Sequence, residues 1–482
     1  MSKVLPILPC PNKVRYTGGT ITPAAINPEA APVTVDSALP KEGYRLTISQ
    51  SGAEISAADA AGEFYAKQSL RQLIAGDGEI PCCVIEDAPR FPHRGFMLDV
   101  ARHMTGIEDI KKLIDAMALM KLNVFHWHLT DDQGWRVPIE KYPRLIEIGS
   151  VRKGSHFGHE STHSEEPYGG YYTLDELRDV VAYCAERHIT VTPELDIPGH
   201  TVCAIAAYPY LSCRGEQLEV GTKQGIYDEI LCVGRNEVME FVFDVLDEFC
   251  KIFPGEYFHI GGDEAPKKRW KECPHCQQRM KDKGLANEEQ LQGWFNKQVA
   301  EFLAKRGKKT IVWNEGLYSG QMGDEVIGQR WFDPCRAAIR FANKGGKVIM
   351  SDESNNYLNF PYGHIPLHKT YQYNPLRLGL NKRGKANVLG VEAPSWTEHI
   401  RDFDGVCYMT FPRLCAVAEN AWSQNKDYSG FLTRLNELIP QLCALGIYPA
   451  SPRAWDPKAK RRAFELKEQA RGVYSAYYPM ER

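Results

Sequence analysis

Residues 107–129 read IEDIKKLIDAMALMKLNVFHWHL, and a change of rhythm inside this stretch decides the fold. From Ile107 to Leu122 apolar residues recur every three or four positions, the period of an amphipathic helix. From Asn123 to Leu129 a short apolar run takes over, as expected of a strand covered on both faces. The pairing recurs. Comparable runs lie at GFMLDV (95–100), ITVTPEL (189–195), YFHIGG (257–262), TIVWN (310–314), VIGQRW (326–331), KVIMS (347–351) and VLGVEA (388–393). Helical periodicity separates several of them, at 174–188, 236–253 and 288–307. Eight apolar strands alternating with helices predict an α/β fold, a parallel sheet closed into a (β/α)8 TIM barrel.

The chain on either side has a different rhythm. Residues 1–89 carry strand-like pieces (KVRYTGGTITP, YRLTISQSG, AEISAAD) before an amphipathic helix, GEFYAKQSLRQLIA, which predicts a small α+β N-terminal domain. EDAPRFPHR (86–94), with two prolines, reads as a linker. The barrel is expected over 90–450. The remainder, 451–482, contains KAKRRAFELKEQARGVYSAYY and is expected to form a helical tail packed on the barrel, its basic run a solvated face.

A formal net charge of −3 over 482 residues gives no electrostatic reason to expect nucleic acid or an anionic membrane as partner. No uncharged apolar run is long enough for a membrane span. The opening MSKVLPILPCPNK is too short in apolar residues and too rich in proline for a signal peptide, which leaves a cytoplasmic protein or one whose leader has been removed. Of fourteen cysteines, Cys184, Cys250, Cys407, Cys415 and Cys443 sit in apolar patterns as small hydrophobes. Cys273-Pro-His-Cys276 lies instead in a polar, Lys-rich loop, with Cys213 and Cys232 in another polar segment. These four suit a tetrahedral structural zinc site; a disulfide and free thiols are the alternatives.

Polar residues keep phase with the strands' C-terminal ends, the face where a barrel of this kind carries its active site. They include Asp99 and Arg102, then His126, His128, Asp131 and Asp132, then Glu194, Asp196 and His200, Asp263 and Glu264, Trp313 and Glu315, Trp331, Asp352, Glu392 and Trp396. Three chemistries fit. Acids with several Trp faces suit a glycosidase. His126 and His128, two apart on a strand, point the same way and suit a metal hydrolase completed by His200 and Asp263. A sugar-binding module would keep the Trp residues but need no paired acids. Among glycosidases, the adjacent Asp263 and Glu264 are poorly placed to flank a scissile bond as an acid and a nucleophile about 5–5.5 Å apart. They suit a site in which an acetamido substrate supplies its own nucleophile.

The strings RGFMLDVARHM, LNVFHWHLTDDQGWR, TPELDIPGHT, HIGGDEAPKKRW and WTEHI span nearly the whole chain, and together the chain resembles the family 20 glycoside hydrolases, the β-N-acetylhexosaminidases. The resemblance implies an exo-acting, retaining, substrate-assisted hydrolase of terminal β-linked GlcNAc or GalNAc, with a glycan as partner and no catalytic cofactor. It makes Glu264 the general acid and Asp263 the group that orients the acetamide. Their adjacency is expected to raise the pKa of Glu264. It also implies an Asp131–His200 dyad supporting Glu264, Arg102 and Glu398 on sugar hydroxyls, and Trp313, Trp331 and Trp396 around the N-acetyl group. Tyr357 would donate to the acetamido oxygen. Asn359 departs from the family, which commonly has Asp there, and gives the outer hydroxyls an amide that both donates and accepts. The surrounding 353–386 reads as a substrate-shaping loop.

Overall fold

Buried and half-buried residues alternate along YRLTIS (44–49), the signature of a strand with one covered face. In the computed structural model, which describes residues 5–76, 78–157 and 163–470, this strand belongs to a small N-terminal sheet. The sheet contains β1 (Lys13–Ile21), β2 (Val33–Val35), β3 (Tyr44–Ser49), β4 (Gly52–Ala57) and β5 (Ile80–Asp87), in the order β1-β5-β3-β4-β2. Helix α1 (Ala60–Ile74), capped by the Asp59 carboxylate on the Gly62 N–H, covers one face with Tyr65, Leu70 and Leu73. β2 and β5 have no counterpart in the strand-like pieces of the sequence. β5 carries Pro81 and runs straight into the proline-rich segment, so turn chemistry masks its alternation.

The expected linker is instead a rigid junction. Glu86 and Asp87 end β5, and His93 and Arg94 begin the first barrel strand. Asp87 accepts hydrogen bonds from the Tyr44 hydroxyl (2.8 Å) and the Trp422 indole (2.9 Å) and pairs with the fully buried Lys121 ammonium (3.3 Å). Arg94, also fully buried, reaches back to Glu42 (2.7 Å) and Tyr65 (2.9 Å). Charges buried this deeply are tolerated only when paired and hydrogen-bonded. The small domain is locked to the barrel by its polar contacts as well as its apolar ones.

The eight apolar runs all form strands: β6 (His93–Asp99), β7 (Val124–His128), β8 (Thr190–Glu194), β9 (Tyr257–His259), β10 (Lys309–Trp313), β11 (Val326–Arg330), β12 (Lys347–Met350) and β13 (Val388–Ser395). They pair in parallel in chain order, and β13 closes on β6, which makes a TIM barrel. Inward positions step from apolar to polar along the strands. Ile311, Ile327 and Ile349 form a separate small cluster, and two residues further on Trp313, Gln329 and Ser351 face a polar interior. That interior holds His126, His259, Glu194 and Glu392, all buried. The polar residues are therefore not confined to the strand ends; a layer of them fills the barrel beneath the site.

Helix Ala459–Gln469 docks on the segment 363–364: Glu465 accepts from the Gly363 N–H (2.5 Å), and Gln469 bonds His364 (2.9 Å). The rest of the expected tail helix, 471–478, lies outside the described residues. Among the described residues no helix is long and apolar enough to cross a membrane.

Candidate active site

β9 ends at His259, and the backbone then turns through Gly261 and Gly262 at φ +63° and +92°. Both values lie where L side chains are strained. A Cβ on Gly261 would also sit 1.7 Å from the Asp196 carboxylate, so the Gly-Gly pair is what lets the chain turn against Asp196. Glu264 follows at φ +44°, and His200, after β8, sits at φ +50°. Non-glycine residues held there cost of order 1–3 kcal/mol each and cluster at functional sites.

This turn delivers Asp263 and Glu264 to a cavity of about 200 Å³ at the C-terminal mouth of the barrel. Arg102, Asp131, His200, Trp331, Tyr357, Asn359, Trp396 and Glu398 also line it. Of the eleven residues assigned from the sequence, only Trp313 is missing from the lining. It is fully buried, donates its indole N–H to Glu194 (2.9 Å) and lies 6.1 Å behind the Trp396 ring. Trp313 is a buttress and not a wall, because the inward period of β10 points it into the polar layer.

The acid pair is asymmetric. Asp263 is buried, and its Oδ1 has no hydrogen-bond partner among the described residues. The Glu264 side chain is about a third exposed and lies 3.6 Å from His200 Nε2. Burial, with the Glu264 charge adding to it and His200 opposing it, pushes Asp263 up to about 7. At Asp263 burial is the larger cause and the neighbouring charge the smaller, since this member of the pair is the one out of water.

His200 Nδ1 is shared. It lies 3.1 Å from Asp132 and 3.3 Å from Asp131, so the expected dyad is a three-residue cluster. Burial works to lower the His200 pKa, but Asp131 and Asp196 raise it well above the ordinary value. Against its own burial, Asp131 is held low by Arg102, with His200 and His128 contributing, while burial raises Asp132. Asp131 is the member that carries charge. Arg102 bonds Asp131 (2.8 Å), Asp99 (3.2 Å) and Gln133 (2.7 Å), lies 3.8 Å from Glu398, and stacks over Trp396 at 5.2 Å. Its fork is fixed before any ligand arrives. Trp331 lies nearly parallel to Tyr357, centroids 6.0 Å apart, and its indole donates to Glu315 (2.9 Å). Burial, then the Asp263 charge, pushes Glu315 up to about 8.

His126 and His128 do not reach the cavity. His126 bridges Glu392 (2.7 Å) and Glu194 (3.0 Å), and His128 bridges Glu194 (2.5 Å) and Asp131 (2.8 Å). Donor atoms of His126, Glu194 and His259 lie within 4.8 Å of one another, as do those of His128, Glu194 and Asp196. In the structure these histidines hydrogen-bond and orient the carboxylates below the site. Four lining residues were given no role from the sequence: Asp196, Gln224, Phe360 and His399. Asp196 carried a signal, since it follows β8 directly. Gln224 lies in an irregular loop with no periodicity to place it.

The family 20 glycosyl hydrolase catalytic-domain model matches residues 91–425, and that family's domain 2 model matches 12–88. The chain belongs to glycosyl hydrolase family 20. A beta-hexosaminidase of Porphyromonas gingivalis is 39% identical over 475 residues, covering 93% of this chain, which spans 60% of that relative's length. A beta-N-acetylhexosaminidase of Cellulomonas fimi is 33% identical, with 92% of this chain and 86% of the relative covered. Among solved family 20 structures, the beta-N-acetylhexosaminidase of Bacteroides fragilis superposes with TM-score 0.82 at 30% identity, over 95% of this chain and 98% of that one. The Vibrio harveyi exo beta-N-acetylglucosaminidase, solved with N-acetylglucosamine, superposes with TM-score 0.81 at 30% identity over 94% and 79%.

Proposed function

We propose that the chain is a β-N-acetylhexosaminidase that removes terminal β-linked GlcNAc or GalNAc from glycans, with retention, using the substrate's acetamido oxygen as nucleophile. Asp263 carries the reading. A buried carboxylate with an unpartnered oxygen is costly until a donor arrives, and an acetamido N–H is such a donor. The family relationship and the N-acetylglucosamine in the Vibrio harveyi structure support the sugar class. The cavity volume supports exo action: about 200 Å³ is below the range of about 300–1,000 Å³ usual for larger ligands and suits one sugar ring.

In the first step Glu264 gives its proton to the glycosidic oxygen as the C1–O bond breaks. The acetamido carbonyl oxygen forms the new bond to C1, and Asp263, ionised, stabilises the positive charge that develops on the acetamide nitrogen. The leaving sugar departs as the alcohol. In the second step the Glu264 carboxylate takes a proton from water, whose oxygen opens the oxazolinium-type ring at C1 and returns the acetamide. His200, charged by Asp131, steadies Glu264 across both steps. Trp331 and Trp396 enclose the N-acetyl group, with Trp313 buttressing Trp396, and the Tyr357 hydroxyl donates to its oxygen. Arg102 and Glu398 hold ring hydroxyls. Asn359 faces the outer hydroxyls with a neutral amide, which tunes gluco against galacto preference. This chemistry requires no cofactor.

The pH dependence tests the reading. Asp263 must be ionised to serve, and its pKa lies near 7 in the free protein. The kcat/KM for an aryl β-GlcNAc, which reports the free enzyme, should therefore show an acid limb centred at about 7. The substrate N–H favours the charged form, so the corresponding limb in kcat should lie at lower pH. The same acid limb near about 4 in both parameters, the ordinary carboxylate range, or no turnover at all, contradicts the proposal.

A further inference from the structure

We propose that Cys213, Cys232, Cys273 and Cys276 hold one structural zinc ion as a four-thiolate site, clamping the loop after β8 to the segment that follows Glu264. Their Sγ atoms converge from two regions of the chain. Cys232 lies 3.6 Å from Cys273 and 3.7 Å from Cys276, and Cys213 lies 3.9 Å from Cys276. All four fall within 4.8 Å of one another. A tetrahedron with Zn–S bonds of about 2.3 Å has S···S edges of about 3.8 Å, which these separations match. A disulfide needs about 2.05 Å, and it would join the thiols in pairs without gathering all four about one point.

The surrounding backbone is built for the convergence. Cys273 occupies the N-cap of helix Pro274–Lys283 and Cys276 its first turn, so the CxxC spacing turns both thiols to one side. Ser212 and Leu231 form an antiparallel bridge that brings Cys213 beside Cys232. Gly234 lets the two halves meet: a Cβ there would lie 2.3 Å from the Cys276 nitrogen, so no side chain fits between them. Three of the thiols are buried and Cys213 is partly so. None lines the catalytic cavity, so the ion plays no part in the proposed hydrolysis.

The clamp nonetheless has a job. The loop it holds carries Gln224 to the cavity wall, and the partner segment carries Glu264. The same two stretches are joined by Trp270 to the Leu231 carbonyl (2.8 Å), Arg269 to Glu229 (2.6 Å) and Lys268 to Asp228 (2.6 Å). The exposed Lys268–Asp228 pair contributes little to such a junction, whereas a four-thiolate zinc contributes folding energy outright.

Elemental analysis of the full chain, purified under reducing conditions and desalted, tests the proposal. The expected result is one zinc per chain, released as a mercurial titrates four thiols. Cobalt exchanged into the same protein should show thiolate charge-transfer and tetrahedral d–d absorption. Cys273→Ser with Cys276→Ser should lower the zinc content to below about a tenth of that value. The readouts on the unmutated chain stand even if that variant fails to fold. The proposal is overturned if reduced protein equilibrated with zinc retains none after desalting, or if the native chain's mass shows Cys213, Cys232, Cys273 or Cys276 in disulfides.

Discussion

Asp263→Asn is expected to lower kcat on an aryl 2-acetamido-2-deoxy-β-glucoside by about 10²–10³, the usual effect of removing one preorganised charge or donor from a transition state. The substitution keeps the shape of the side chain but removes its charge. A neutral amide can still accept from the acetamido N–H, so ground-state binding is largely kept and KM should move little. What is lost is the stabilisation of positive charge on the acetamide nitrogen, which develops only as C1 is attacked. The Asp263 site is buried, so water cannot replace the missing charge. A fall in kcat with KM nearly constant is the signature to look for in steady-state kinetics. Loss of binding with kcat intact would make Asp263 a simple substrate anchor.

Glu264→Gln is expected to act through the leaving group. For substrates whose departing alcohol is a poor leaving group, such as another sugar, kcat should fall by about 10²–10⁴, the range for loss of a general acid. For a nitrophenyl glycoside, whose leaving group needs little protonation, bond cleavage should be far less impaired. Opening of the intermediate, which needs the same side chain as base, then limits turnover. Comparing kcat/KM, which runs only through bond cleavage, across aryl leaving groups of graded acidity reads this directly: the variant should show a steeper dependence on leaving-group pKa than the unmodified protein. The position of Glu264, 3.6 Å from His200 and about a third exposed, suits a group that meets both a leaving oxygen and incoming water. A uniform loss of kcat/KM on every leaving group would assign Glu264 a structural role.

The barrel was legible because parallel strands covered on both faces leave continuous apolar runs, and all eight were visible as such. β5 was not, because its Pro81 and the following prolines read as turn chemistry although its backbone pairs on both sides. At the site, Arg102, Asp263, Glu264 and Trp396, all just past strand ends, line one cavity, as their phase with the strands implies. Trp313 failed this rule because it ends its strand pointing inward, and sequence position gives the face of a strand only when its register is known. Which carboxylate of the pair is buried was also beyond the sequence. That depends on Asp196 packing against Gly261 and on the left-handed turn at Glu264, both set by contacts between distant strands. Gln224 joins the site for the same reason, through loop packing and not local pattern.

Hydrolysis of aryl β-GlcNAc beside an aryl β-glucoside with the same leaving group tests the central claim most directly, since the two differ at the site only in the acetamido group that Asp263 would engage. The expected result is turnover of the N-acetyl sugar and none detectable for the glucoside. Comparable turnover of both would mean that the nucleophile belongs to the protein, and would contradict substrate assistance.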